Sequence, residues 1–308
     1  MTALDTLLDG LIDYAGLYPP ASLDMQPMVD TYAAAVQDDT GWMVGRVIVP
    51  VDRLSEFEDA AADHLPRHDD DDPWCISALV RHAHLEADLA AIEAFNGRHA
   101  TPEEGLAVID AVEIRASTPD EIEAVAAVLP ESLFAFIEIP VGTDPRGLLA
   151  QLAGEEMAAK IRTGGIEPHL YPAINDVASF IVHATAAGVP FKATAGLHHP
   201  LPNDNPVVGA RQLGFLNVFC AAAVAKTHGL DAAAIVDVLQ LDDPEAITFD
   251  GSTATIGDHT VSAAQIEESR LTCGTTFGSC SIDEPVEDLY ALGLLDRPSD
   301  APMEEIDA

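Results

Sequence analysis

The chain holds only three lysines, Lys160, Lys192 and Lys226, and two of them interrupt apolar segments that read as buried strands. Lys160 stands in Ala159-Lys160-Ile161-Arg162 and Lys192 in Phe191-Lys192-Ala193-Thr194. They are 32 residues apart, the length of one strand–helix–strand step. An ammonium desolvated among apolar walls, with a second cation close by, has its pKa pushed down. The neutral amine can then attack a carbonyl and form a Schiff base.

Other charges repeat the pattern. One strand-like segment ends Val112-Glu113-Ile114-Arg115 and the next ends Phe136-Ile137-Glu138-Ile139. Strands covered on both faces should be continuous apolar runs, and side chains alternate faces along a strand. Glu113 and Arg115 therefore share one face, as do Lys160 with Arg162 and Lys192 with Thr194. Helices cover the outside of a barrel, so these charges are expected to point inward at its C-terminal mouth. An unpaired buried charge costs several kcal/mol, so a purely structural ion-pair layer is the plain alternative. A positive excess facing a cavity favours an anionic ligand.

The elements that must position these residues alternate. Strands are expected at Tyr14–Leu17, Met43–Val49, Cys75–Val80, Val108–Arg115, Leu133–Ile139, Met157–Ile161, Pro190–Ala195 and Thr275–Ser281. Helical patterns lie near 25–37, 54–65, 85–95, 119–129, 145–153, 173–187 and 209–227. Thr118-Pro119-Asp120-Glu121 is a helix start, an N-cap followed by proline and acids. Gly188 and Gly229 sit at helix C-caps. About eight such units predict a (β/α)8 TIM-type barrel in a single domain, residues 1–295. A doubly wound open sheet would carry a glycine-rich loop after its first strand, where this chain has Tyr18-Pro19-Pro20-Ala21-Ser22. Residues 230–270 read as an insertion before the last strand: a helix, Asp231–Leu239, then a hairpin with turns at Asp250-Gly251 and Gly257-Asp258. Residues 296–308 form an acidic tail, expected to be loose.

The motifs Lys160-Ile161-Arg162-Thr163-Gly164-Gly165 and Lys192-Ala193-Thr194-Ala195-Gly196-Leu197 resemble the deoxyribose-phosphate aldolase family, class I aldolase barrels. That resemblance implies Lys160 as Schiff-base nucleophile and Lys192 as the cation that tunes it. The glycines would let a ligand approach backbone N–H groups, which makes Thr163, Gly164 and Gly196 candidate substrate contacts. Phe277-Gly278-Ser279-Cys280-Ser281 loosely resembles the family's phosphate loop and adds Gly278 and Ser279. The chain departs from the family at Arg162, at His198-His199 after the second motif, and at the insertion. Glu113 and Glu138 are the candidates for proton transfer, with His198 as a possible shuttle. Arg162, Arg115 and His199 join the substrate-binding set.

Other constellations read more plainly. His198-His199 lacks a third histidine at ligand spacing, so no metal is expected, and no cofactor. Cys280 lies in a turn of small residues, and Tyr14, Tyr18 and Pro19-Pro20 read as a turn rather than a pocket wall. Asn217 reads as a satisfied buried amide in an apolar helix.

Composition bounds the partners. The formal net charge is −38, from 14 Lys+Arg against 52 Asp+Glu, with 48% hydrophobic residues. Such a surface resembles those of proteins from salt-accumulating halophiles, whose self-repulsion salt screens. Nucleic acid is excluded for want of a basic stripe, and anionic membranes are disfavoured. The start MTALDTLLDG lacks a basic signal-peptide region, and four cysteines without a CxxC pair fit a cytoplasmic location. A homo-oligomer is left open. The leading expectation is an aldolase-like lyase acting on a small phosphorylated or carboxylated carbonyl compound. The alternatives are an isomerase or hydrolase using its cations as electrostatic clamps, and a non-catalytic small-anion-binding protein.

Overall fold

Parallel strands cannot be joined by tight turns, so each return of the chain needs a crossover, usually a helix. In the computed structural model, which describes residues 1–297, eight such strands close on themselves. The first seven are β1 (Ile12–Tyr14), β2 (Val44–Pro50), β3 (Trp74–Leu79), β4 (Ala107–Arg115), β5 (Phe134–Glu138), β6 (Ala158–Arg162) and β7 (Phe191–Thr194). A small hairpin, β8 (Asn203–Asn205) with β9 (Ala210–Gln212), follows β7. An antiparallel sheet comes next: β10 (Ile247–Asp250), β11 (Thr253–Ile256) and β12 (His259–Ser262). The barrel is completed by β13 (Gly274–Ser279), in the order β1-β13-β7-β6-β5-β4-β3-β2. The fold is a (β/α)8 TIM-type barrel.

Helix boundaries follow local chemistry. Thr118 accepts a hydrogen bond from the Glu121 N–H while Glu121 reaches back, a capping box with proline at the first turn. Gly188 and Gly229 end their helices in the left-handed region, at φ 67° and 64°, where a Cβ would be strained.

Three expectations are corrected. The first strand is Ile12–Tyr14 rather than Tyr14–Leu17, because Asp13 is satisfied inside the barrel and does not end the strand. The helix expected from 209 starts at Phe215, since 210–212 pair with 203–205. The insertion carries a third strand, His259–Ser262, beyond the expected hairpin, and a helix, Ala263–Thr272, leads from it into β13. Most of the acidic tail, residues 298–308, lies outside the described residues. Among the described residues no helix is long and apolar enough to cross a membrane.

The main apolar core lies between strands and helices. Phe277 packs against Phe215 and Phe219, Phe191 against Phe180, and Tyr14 against Tyr32. Inside the barrel the apolar floor is small: Ala111, Phe136 and Ala158 form their own cluster. Barrel interiors are usually filled by layers of bulky apolar side chains. Here the layer above the floor is charged.

Candidate active site

Strand register assembles that layer. Arg115 of β4 pairs with Glu138 of β5, Glu138 with Lys160 of β6, and Lys160 with Lys192 of β7. Four charged residues thus form one row across four adjacent strands. A fifth, Glu113, lies two residues before Arg115 on the same face of β4 and reaches across the interior. Its Oε2 contacts the Lys160 Nζ at 2.7 Å, and its Oε1 accepts from the Lys192 Nζ at 2.6 Å and from the Ser77 hydroxyl at 2.8 Å.

Lys192 is fully buried and is held by a second carboxylate, Asp13 of β1, at 2.5 Å. Asp13 also accepts from the Thr276 hydroxyl at 2.9 Å and the Arg46 backbone N–H at 2.8 Å. The Phe136 ring of the apolar floor lies 5.5 Å from the same ammonium. Lys160 has a second partner in Glu138, 3.0 Å away, and Glu138 accepts from Arg115 at 2.6 Å. Desolvating such charges costs several kcal/mol each, and only near-complete pairing offsets it. The network meets that demand by letting each carboxylate serve more than one donor.

The electrostatics follow. Burial opposes ionisation of Glu113, but the Lys160 and Lys192 ammoniums outweigh it and hold its carboxyl well below the usual carboxylate range. Glu138 is likewise held low, against burial, by Lys160 and Arg115. Burial would push the Lys160 ammonium down; the Glu113 and Glu138 carboxylates overcome it and hold Lys160 above the usual lysine range. This differs from the expected depressed amine. The cause is Glu113, whose carboxylate stands between the two ammoniums and replaces like-charge repulsion by attraction to both.

A cavity of about 210 Å³ opens above the layer at the C-terminal mouth. Lys160, Glu113, Arg162, His198, Gly278 and Tyr18 line it. The Tyr18 hydroxyl makes no hydrogen bond within the described residues, and burial together with Glu113 and Asp52 pushes its pKa up, so it stays protonated. Tyr14 is core, and the thiol of Cys280 in the cavity wall is pushed up by burial. His198 bonds Glu284 at 3.0 Å, and that contact, ahead of burial, holds the Glu284 carboxyl low. His199 bonds Asp288, four residues beyond Glu284 on the helix Asp283–Ala291, and does not line the cavity.

Several expected substrate contacts act instead as supports. Thr163 is buried and donates to the Ala195 carbonyl at 2.6 Å, tying the loop after β6 to the loop after β7. A Cβ on Gly164 would stand 2.8 Å from the Gly196 Cα, and one on Gly196 would meet Gly164 equally closely. Those glycines let the two loops touch. Gln212 of β9 donates to the Tyr171 hydroxyl, which donates to the Gly165 carbonyl, closing the same loop from outside. Ser279 is buried and accepts from the Ser281 N–H. Arg115 stands at the mouth, 70% exposed, outside the inner cavity. Asn217 donates to the Val238 and Leu241 carbonyls, which ties the insertion to its helix, but its Oδ1 has no partner among the described residues, so the buried amide is only half satisfied.

Asp13, Ser77 and Thr276 complete the constellation beyond the residues expected from sequence, and Tyr18 with Pro19 forms part of the cavity wall, where the sequence reading expected only a turn. The signal for Asp13 was present: an acid between Ile12 and Tyr14 inside a short apolar run. No group of three or more metal-ligating side chains occurs among the described residues. Compared with protein-family models and with curated proteins, the chain matches none.

Proposed function

We propose that this protein is a lyase of the class I aldolase kind, in which Lys160 forms an imine with a small carbonyl compound carrying a phosphate or carboxylate. One observation carries the reading: a nearly buried lysine lines the mouth cavity while touching two carboxylates, one of which, Glu113, lines the same cavity.

A protonated resting lysine is compatible with this chemistry. An ammonium and a carbonyl give an iminium and water with no net change in protons. Glu113 takes one proton from Lys160 as the nitrogen attacks, a second moves from nitrogen to the former carbonyl oxygen, and Glu113 returns the first as that oxygen leaves as water. The iminium keeps the positive charge, so the carboxylates that hold the ammonium also stabilise the product. The bond between the α and β carbons then breaks, its electron pair flowing into the iminium. His198, oriented by Glu284, takes the proton of the β-hydroxyl. Lys192 lies out of reach of the cavity and acts as a positioning residue, fixing Glu113.

Borohydride reduction in the presence of aldehydes and keto acids, read by peptide mass, tests the proposal. The expected adduct is on Lys160. No adduct on Lys160 with any compound overturns it. The elevated Lys160 pKa also favours a second reading, in which the ammonium polarises a carbonyl or holds an enolate without covalent chemistry. Lys160→Arg separates the two: a clamp retains part of its activity, an imine former none.

A further inference from the structure

Beside the inner cavity lies a second, outer one of about 380 Å³, and the two share Arg162 and Leu170. Arg162 donates no hydrogen bond among the described residues, although a guanidinium carries five N–H groups. Its contact with Glu138 is 3.9 Å, beyond hydrogen-bond range. Glu138 is already engaged by Lys160 and by the Nε and Nη2 of Arg115. One carboxylate thus faces three cations.

The outer cavity gathers further free donors. Arg115 donates to Glu138 from Nε and Nη2 only, which leaves its Nη1 unused. The Ser117 hydroxyl has no partner among the described residues, and His169 meets Glu167 through Nδ1, leaving Nε2 free. The connected network of Lys192, Lys160, Arg115 and Arg162 against Asp13, Glu113 and Glu138 has four cations and three carboxylates. One positive charge is left over within this network, in a chain of net charge −38. Planar arginine forks are the groups best suited to a carboxylate or phosphate.

We propose that the outer cavity is an oxyanion subsite, in which Arg162, Arg115, Ser117 and His169 take the phosphate or carboxylate of the substrate. This rests on the proposed imine chemistry at Lys160 and deepens it. With the carbonyl at Lys160 and the anion beyond Arg162, the substrate is an extended molecule with its two groups at opposite ends. The anion then sits away from the Gly278 turn, which lines the inner cavity; the Glu138 carboxylate at the edge of the outer one is already neutralised by Lys160 and Arg115.

Calorimetric titration with inorganic phosphate and, separately, acetate, at constant molar KCl, tests the subsite. The full chain is expected to bind at least one of the two saturably, and their ratio tells phosphate from carboxylate. Arg162→Gln should weaken binding tenfold or more and Arg115→Gln severalfold, while His198→Gln, in the inner cavity only, changes it less than twofold. Arg162 and Arg115 side chains are 41% and 70% exposed, so these variants should keep the fold, which a melting curve checks. Saturable binding of neither anion overturns the subsite. So does binding that His198→Gln weakens and Arg115→Gln leaves alone. Borohydride trapping with uncharged propanal reports the imine separately, so either idea can fail while the other stands.

Discussion

Lys192 and Asp13 are both fully buried, and their contact at 2.5 Å is the deepest ion pair of the barrel interior. Replacing Lys192 by Met leaves Asp13 with one hydroxyl and one backbone N–H, and leaves Glu113 with Ser77 and Lys160. Replacing Asp13 by Asn leaves the Lys192 ammonium dependent on a carboxylate it shares with Lys160. Stranding one member of a buried pair costs about 3–5 kcal/mol. At roughly 2 °C per kcal/mol for a chain of this size, each single variant should melt about 6–10 °C lower. The double variant removes both charges together. Its loss should fall short of the two single losses added by about 0.5–3 kcal/mol, the range for residues in direct contact. The assay is a double-mutant cycle by thermal and urea unfolding at constant molar KCl. Losses below about 1 kcal/mol for both singles would place these charges in water. Strict additivity would mean they do not interact. Either result removes the shared-carboxylate account of how Glu113 is held beside Lys160.

Stability should also have two pH limbs. Lys160 is raised in the folded state, so its contribution is complete below the unfolded lysine value of about 10.4 and is lost as pH rises through the folded value. Glu113 is lowered, so its contribution is complete above the unfolded glutamate value of about 4.3 and is lost as pH falls through the folded one. The contribution of these two groups should be constant between these limits and fall outside them; a Lys160→Met variant that keeps the full alkaline limb would contradict the assignment. Separately, a net charge of −38 destabilises the compact state through repulsion that salt screens. The melting temperature should therefore rise from dilute buffer to molar KCl, and an unchanged value would count against a salt-adapted surface.

How much of this was legible in the sequence depended on whether the signal was local. The barrel was, because strand–helix alternation and caps such as Thr118 to Glu121 are written within a few residues. The inward row was also legible, since two-residue periodicity fixes which side chains share a face. Its partners were not. Asp13 and Lys192 are joined across 179 residues, and Glu113 and Lys192 across 79. Only barrel closure, which sets β1 against β13 and β13 against β7, brings them together. That closure also changes the sign of the local chemistry. Two lysines on adjacent strands, taken alone, predict mutual repulsion and a depressed amine. With Glu113 between them the same pair becomes an attractive lattice that keeps Lys160 charged. The sequence thus identified the row of charges, while the state of the amine was decided by an acid one strand further away. For an imine mechanism this moves the task of generating the free amine from a resting pKa to a proton transfer within the site, and Glu113, touching both ammoniums and the cavity, is the group placed to perform it.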